Sequence, residues 1–393
     1  MGITEKLKSK YKLFMDSAKE ADLQFCFIYF LHWLTLWIRY RVPLKDYFQQ
    51  KLYDRNRSHD KYYNSSLKVI RNWKNSRKRF YPNATPAWIV FHYVDYLVSR
   101  LIYPGLDGMD YFSYEFYRFK RCVRKTFITE GQLRKMNSLL NNVDDPNAKE
   151  EFDILLNKAR FNEYFSDIVN RKWVLSDTIS YSEFCSFCTG LSRIICKPVA
   201  GVGGRDIFIA NLDSQEAMKD VWNKVKSNRF IIEEVLEQHN ELAQLNPSSV
   251  NTIRLYTVKS GEQYYITGAA LRIGRKGKQV DNYHSGGLAA EINVELGMVT
   301  SRAISFANEE FYIHPDSGKC ILGFMIPGWE KIKSTVRNAH RKLSSLGYVA
   351  WDVVVLKDGS ITFIEANTGG GVDLQQHPSL TGKKPIYQQY CNL

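Results

Sequence analysis

The spacing of hydrophobic and polar positions changes character along the chain. Over the first 140 residues few stretches alternate, and breaks fall at Pro43, Pro82, Pro86 and Pro104, so this part is expected to be mainly helical. A helix is predicted over 144–165, "DDPNAKEEFDILLNKARFNEYF", where Asp145 can serve as N-cap and Pro146 as the first helical residue; it carries Lys158. From about residue 193 short apolar runs alternate with helical ones. Strands are predicted at "RIICKPV", "RDIFIA", "FIIEEV", "TIRLYTV" and "YYITGAALRI", and helices at "SQEAMKDVWNKVK" and "GWEKIKSTVRNAHRKLSSLG". In the second helix Trp329, Ile332, Val336, Ala339 and Leu343 form one apolar stripe, which Gly347 can close.

The last strong pattern is "WDVVVLKDGSITFIEANTGGG", 351–371, which reads as a hairpin turning at Asp358-Gly359. With those two residues as the loop, Lys357 faces Ser360, Val354 faces Phe363, and Asp352 faces Glu365. Like charges directly opposed destabilise a sheet, so something must offset them. Asn367 lies on the same face as Glu365. Two carboxylates and an amide, with no Cys or His, suit a hard cation such as Mg²⁺. The competing structural reading is that one acid is protonated, or that both stand in water at the sheet's end.

Composition adds scale and compartment. A chain of 393 residues with 44% hydrophobic residues can fill two or more cores. The seven scattered cysteines argue against a disulfide framework and for a reducing, cytoplasmic setting. Cys185 and Cys188 form one CxxC at helical spacing, for which packing competes with a zinc or redox role. No apolar segment followed by a cleavage site is seen at the N-terminus, so no secretory leader is expected.

The formal charge of +13 is concentrated, because residues 1–125 hold 24 Lys/Arg against 11 Asp/Glu. Within them the 16-residue apolar run 23–38 is shorter than a bilayer span of about 20 residues. Three readings stand: a buried helix with a solvated basic face, a region resting on an anionic membrane surface, and, lowest, nucleic-acid binding, for which no recognised motif is present.

The chemistry upstream of the hairpin is ordered along the chain. "CKPVAGVGGRDIFIA" sets Lys197 on a strand beside a glycine loop between strands, which is not a Walker A arrangement. "FIIEEVLEQ" ends an apolar strand in Glu233, Glu234 and Glu237. Arg254 and Arg272 each interrupt an apolar strand, and a buried guanidinium needs an anionic partner, either a carboxylate or a phosphate. "DNYHSGG" offers Asn282 and His284 in a loop suited to a polar substrate contact.

Taken together and in this order, Lys158, "KPVAGVGG", "EEVLE", Arg272 and the Asp followed by Glu-x-Asn resemble the ATP-grasp superfamily. More narrowly, "VLEQHNELAQLNPSSVNTIRLYTV", "VDNYHSGGLAAEI", "HPDSGKCILGFMIPGW" and "GYVAWDVVV" look like the sugar-transfer associated ATP-grasp family, related to the α-L-glutamate ligases, over roughly 105–393. The resemblance implies an α+β ATP-grasp fold, two subdomains gripping ATP (141–237 and 238–393), after a helical region at 1–140. It implies that Lys158 and Lys197 hold the α and β phosphates, with Lys172 a competitor for the first place. Gly201, Gly203 and Gly204 would close over the triphosphate, Glu233, Glu234, Val235 and Glu237 would bind adenine and ribose, and Asp352, Glu365 and Asn367 would hold Mg²⁺, with Mn²⁺ the alternative.

The activity implied is an ATP-dependent carboxylate–amine ligase acting through an acyl phosphate, in polysaccharide biosynthesis. Its substrates would be a small-molecule or glycan carboxylate and an amine, met at the inner face of the membrane. Arg272 is the candidate for charge on the transferring phosphoryl group, and Arg254 or His284 for the acceptor side. Relatives in the resembled family carry a basic or His-containing loop after Glu365, whereas this chain has "NTGGG". The rivals are a phosphotransferase on the same scaffold and a nucleotide-binding protein of the membrane surface or of polyanions, without catalysis.

Overall fold

A computed structural model describes residues 61–142, 144–199, 206–278 and 280–393. The expectations for the apolar run 23–38 and for Gly201, Gly203 and Gly204 lie outside the described residues. The chain divides into two compact units, Met1–Gln132 and Leu133–Leu393.

The described part of the first unit is helical: α1 (Lys61–Phe80), α2 (Pro86–Ile102), α3 (Gly108–Ser113) and α4 (Arg121–Arg124). Pro82, Pro86 and Pro104 fall at helix ends, while Pro43 lies outside the described residues. Pro86 occupies the first turn of α2 behind the N-cap Thr85, and α2 stops at Ile102, before Pro104. The core is aromatic, built from Trp73, Tyr93, Tyr96, Tyr111, Phe112 and Phe116. Gly108 lets α3 approach α1, since a Cβ there would stand 2.7 Å from the Trp73 Cα. No described helix is long and apolar enough to cross a membrane.

α5 (Glu130–Leu140) runs across the division between the units. In the second unit the predicted helix 144–165 is two helices, α6 (Pro146–Leu156) and α7 (Lys158–Tyr164). Asn157 separates them and caps α7 by accepting from the Ala159 and Arg160 N–H groups, so Lys158 opens a helix rather than lying inside one.

A small antiparallel sheet follows, in the order β1-β4-β2-β3, from β1 (Trp173–Leu175), β2 (Arg193–Pro198), β3 (Phe208–Asn211) and β4 (Phe230–Glu234). Its core joins the sheet to α8 (Tyr181–Cys188) and α9 (Gln215–Val225) through Phe184, Cys188, Cys196, Val221 and Ile232. Burial pushes the Cys188 thiol up to about 11 and the Cys196 thiol up to about 12, which favours the packing reading of the CxxC.

After α10 (Asn240–Leu245) comes a large antiparallel sheet: β5 (Ile253–Ser260), β6 (Gln263–Ile273), β7 (Leu288–Asn293), β8 (Met298–Val299), β9 (Ala303–Ser305), β10 (Glu310–Phe311), β11 (Tyr348–Val355) and β12 (Ile361–Asn367). The order is β10-β9-β7-β6-β5-β11-β12, with β8 on β7. The predicted stripe of α11 (Trp329–Arg341) packs on this sheet, burying Ile332, Val336 and Ala339 with Leu255, Leu271 and Trp351. Short helices α12 (Asp373–Gln376) and α13 (Lys384–Tyr387) end the chain.

Two expectations are corrected. Gly347 does not close α11, which ends at Arg341. It lies just before β11, where its N–H donates to the Leu140 carbonyl at 3.0 Å and to Asn141 Oδ1 at 2.9 Å. The hairpin turn is also one residue longer than expected: Leu356 N–H donates to the Ser360 carbonyl, and Gly359 takes a left-handed φ of +79°. Near the turn Val354 therefore faces Thr362, and Val353 faces Phe363. A bulge at Ile364 absorbs the extra residue, so that Asp352 still faces Glu365.

A Cβ on Gly347 would lie 2.4 Å from the Leu140 carbonyl oxygen, a backbone atom with no side-chain freedom. Gly347→Ala is expected to lower stability by about 1–3 kcal/mol, read as a lower thermal midpoint. An unchanged midpoint would show that this approach carries no constraint.

Candidate functional site

The site builds from a row of charges across four adjacent strands. Glu365 on β12 pairs with Asp352 on β11, Asp352 pairs with Arg254 on β5, and Arg254 pairs with Ala270 on β6, two residues before Arg272. Residues two apart on a strand share a face, so Arg272 joins the row. The Asp352 side chain is only 2% exposed. Arg254 holds it bidentately, Nε on Oδ1 and Nη2 on Oδ2 at 2.8 Å, and Arg272 Nη1 donates to Oδ2, also at 2.8 Å. Burial alone would raise the Asp352 pKa, but the two guanidiniums outweigh it and hold the group below the ordinary carboxylate value.

These contacts answer what offsets the opposed acids: two arginines do. They also settle the anion each buried arginine needs, since both take the Asp352 carboxylate and Arg272 takes Asp281 as well, at 3.0 Å. Asp281 accepts in turn from the Thr252 N–H at 2.8 Å; burial raises its pKa despite Arg272.

A second cluster lies on the small sheet and α7. Lys197 Nζ donates to Glu233 Oε2 at 2.5 Å, Arg171 Nε lies 3.0 Å from Glu233 Oε1, and Asn162 Nδ2 donates to the same oxygen at 3.0 Å. The Glu233 side chain is 2% exposed. Burial works against its charge, yet Arg171 and Lys197 outweigh burial and hold its pKa at about 2. Glu233, expected to read the nucleoside, has its carboxylate engaged internally: it accepts from Lys197 and Asn162 and is ion-paired with Arg171. Beyond it, Glu234 is the last ladder residue of β4 and accepts from the Lys172 N–H at 2.9 Å; Val235 follows, and Glu237 pairs with Lys357 on the surface.

Arg171 joins the two clusters. It donates through Nη1 to the Phe363 carbonyl, at the bulge of β12, and through Nη2 to Asn162 Oδ1 at 2.9 Å. β12 is the last strand of the sheet, so one row of its backbone groups has no strand partner and is open to a side chain. Lys158 lies within electrostatic reach of Glu365, Lys197 and Glu233; burial, the largest influence, lowers its pKa, Lys197 adds to that, and the two carboxylates oppose it. Lys172 is exposed just before β1. Lys158 is thus within electrostatic reach of both Lys197 and Glu365.

His284, expected on the acceptor side, is about half exposed, 3.4 Å through Nε2 from Asp373 Oδ2 and edge-on to Phe306. Asp373 is within electrostatic reach of Arg254 and has its pKa lowered; burial opposes this, and His284 outweighs it. Asn282 caps its own turn, accepting from the His284 N–H at 3.0 Å. In the "NTGGG" loop a Cβ on Gly370 would stand 2.2 Å from the Ala350 Cβ, so the loop lies close on β11.

Among the described residues no three His, Cys, Asp or Glu side chains gather to hold a metal. The candidate set is Glu365 and Asn367, both partly open, with Asn367 Nδ2 3.3 Å from Glu365 Oε1 and Asp352 directly across. Its oxygen donors, within electrostatic reach of Lys158, fit Mg²⁺ held by few protein ligands and by substrate oxygens. Asp352 sits behind the other two with both oxygens already accepting from arginine.

Sequence reasoning missed Arg171, Asn162, Asp281 and Asp373. Arg171 stood in "NRKW" beside the lysine that drew attention, and Asp281 opens the "DNYHSGG" motif. A buried ion pair leaves no periodic mark, and the pairing became visible only through the strand order.

Comparison with known proteins gives a family model, described as sugar-transfer associated ATP-grasp, that matches residues 144–391. No curated protein matches the chain. Similar solved structures include the ATP-grasp ligase PsnB complexed with minimal precursor, Mg and ADP, at 13% identity and TM-score 0.38, covering 65% of this chain and 66% of that one. The L-amino acid ligase from Bacillus licheniformis follows at 12% and 0.36, covering 61% and 48%. D-alanyl-alanine synthetase A from Vibrio cholerae O1 stands at 10% and 0.38, covering 67% and 69%. The chain spans 61–66% of the length of the PsnB chains it matches.

Glu233→Gln leaves Arg171 and Lys197 short of a buried counter-charge and is expected to cost about 3–5 kcal/mol at neutral pH, measured by denaturant unfolding. Because the folded pKa is depressed, the contribution of Glu233 is complete above its ordinary value of 4.5 and fades as pH falls towards about 2. The gap between variant and unaltered protein should shrink over that window. A gap independent of pH would mean that the charge of Glu233 is not what stabilises the fold.

Proposed function

The chain belongs to the sugar-transfer associated ATP-grasp family, and from that premise we propose that it is an ATP-dependent carboxylate–amine ligase acting through an acyl phosphate. The observation that carries this reading is that Lys158 lies within electrostatic reach of both Lys197 and Glu365, the acid opposed to Asp352 on the hairpin. A pair of lysines suited to phosphate with hard oxygen donors nearby is what transfer from a nucleoside triphosphate requires. We take 141–237 and 238–393 as the two grasping subdomains, which accords with the small sheet lying in the first and the large sheet in the second.

In this reading Lys158 and Lys197 neutralise the α and β phosphates. The end of β4 at Glu234, Val235 and Glu237 receives the nucleoside. Glu365 and Asn367, with Asp352 behind them, would hold Mg²⁺, whose chemistry is to neutralise charge on the phosphates. Arg254 and Arg272 act as positioning residues, keeping Asp352 ionised and fixed. Glu233 and Arg171 fix Lys197. A substrate carboxylate oxygen bonds to the γ phosphorus as the bond to the β-phosphate oxygen breaks, releasing ADP. An amine nitrogen then bonds to the acyl carbon, phosphate leaves with the electron pair of the broken C–O bond, and the nitrogen loses a proton to leave an amide. Asp373, with His284 beside it, lies within electrostatic reach of Arg254 on the side assigned to the acceptor.

The family's description, and the implied role in cell-surface polysaccharides, point to a sugar acid as the carboxylate. Hydroxylamine in place of the amine tests the reaction. With MgATP and a set of uronic acids, one acid should give a hydroxamate together with equal ADP and phosphate. ADP release with neither phosphate nor hydroxamate would instead identify a phosphotransferase.

Lys158→Met is expected to weaken MgATP binding by about 10–100-fold, the worth of a charge-assisted contact, while Lys172→Met leaves it within about twofold. Calorimetric titration of both variants decides this. The reverse order would give the first phosphate site to Lys172.

A further inference from the structure

One helix of the first unit presents an uncharged face. α2 exposes Phe91 (68%), Val94, Val98 (48%), Leu101 and Ile102. Their spacing of three and four residues makes a continuous stripe about 17 Å long at 1.5 Å per residue. The only two charged side chains of α2 are engaged within the unit: Asp95, at the edge of the stripe, accepts from Arg124 Nη1 and from the Tyr111 hydroxyl, both at 2.9 Å, and Arg100 donates to the Tyr96 hydroxyl at 3.2 Å and to the Leu106 carbonyl. Exposed large apolar residues normally occur singly, so an uninterrupted stripe marks a contact surface.

The charge of the unit says what the contact is. Residues 61–125 hold 13 Lys/Arg against 4 Asp/Glu. None of the four acids is fully exposed: Asp110 and Glu115 are buried, and Asp95 and Asp107 are half-buried and accept hydrogen bonds. Arg71, Lys78, Arg79, Lys120, Arg121 and Lys125 all face solvent. A second copy docked on the same stripe would bring two strongly cationic units together, which like-charge repulsion opposes. A partner that is apolar inside and anionic outside matches both features at once.

We propose that α2 is an interfacial helix that seats Phe91, Val94, Val98, Leu101 and Ile102 at the acyl boundary of an anionic bilayer while the exposed basic side chains of its unit meet the headgroup phosphates. A 17-residue helix lying in the plane of the interface needs no spanning length. The assignment rests on α2 and its unit alone, independently of the ligase reading.

Flotation of the full chain with phosphatidylcholine vesicles, with and without phosphatidylglycerol, tests it. The unaltered protein should bind the anionic vesicles, bind neutral ones less, and be released by salt. Phe91→Ser with Val98→Ser should reduce the partition coefficient by about tenfold or more, whereas Leu139→Ser, an equally exposed apolar change elsewhere, should not. Val98→Lys separates the two forces: an inserted helix binds more weakly, while a purely electrostatic contact binds more tightly. Thermal midpoints and MgATP affinity, measured on each variant, identify any that fail to fold. Equal binding by the double variant, tighter binding by Val98→Lys, or a dimer in sedimentation that the double variant dissolves would each overturn the proposal.

Discussion

The arrangement of the second unit depends on one buried charge. Asp352 lies on β11, an inner strand of the large sheet, with every residue of that strand buried. An isolated carboxylate there would protonate or unfold its surroundings, since burial of an unpaired charge costs far more than a fold of this size can spare. Two guanidiniums remove the problem, but only if β5 lies beside β11 and β6 beside β5. The strand order β6-β5-β11-β12 is thus tied to the electrostatics of the site, and the same row leaves Glu365, the less buried acid, at its outer end.

The second buried charge couples the sheets. Glu233 draws Lys197 and Arg171 to one point on the small sheet, and Arg171 reaches from there to the bulge of β12. A displacement of either sheet would strip a buried ion of its partner, and removing one member of such a cluster costs more than forming it contributes. The lysine proposed to meet phosphate and the hairpin proposed to hold Mg²⁺ are therefore held by shared contacts. Such a framework accords with a site whose task is to position charge rather than to react covalently.

Much of this was legible in the chain. Pro82, Pro86 and Pro104 marked helix ends, the stripe of α11 was readable residue by residue, and Asp352 does face Glu365. That last agreement came through two compensating steps, because the turn has an extra residue that the bulge at Ile364 then absorbs. Neither is encoded by alternation, since Val353, Val354 and Val355 are buried on both faces and carry no pattern. The partners of the buried charges were the least legible part. Arg254 and Asp352 are 98 positions apart, and Lys197 and Glu233 are 36 apart. Which acid meets which base follows from strand order, which short-range patterns do not contain. Gly347 was misread for a related reason: a glycine near a helix end suggests a cap, whereas this one serves a close backbone contact made from elsewhere in the chain.

The central claim is that the charged row ends in a nucleotide site at Glu365. Calorimetric titration of ATP with and without Mg²⁺, on the unaltered protein and on Glu365→Gln, tests it most directly. The account predicts Mg²⁺-dependent binding that the substitution weakens at an unchanged thermal midpoint. Binding that is indifferent both to Mg²⁺ and to Glu365→Gln, or no binding by the unaltered protein, would contradict it and leave the opposed acids a purely structural pair.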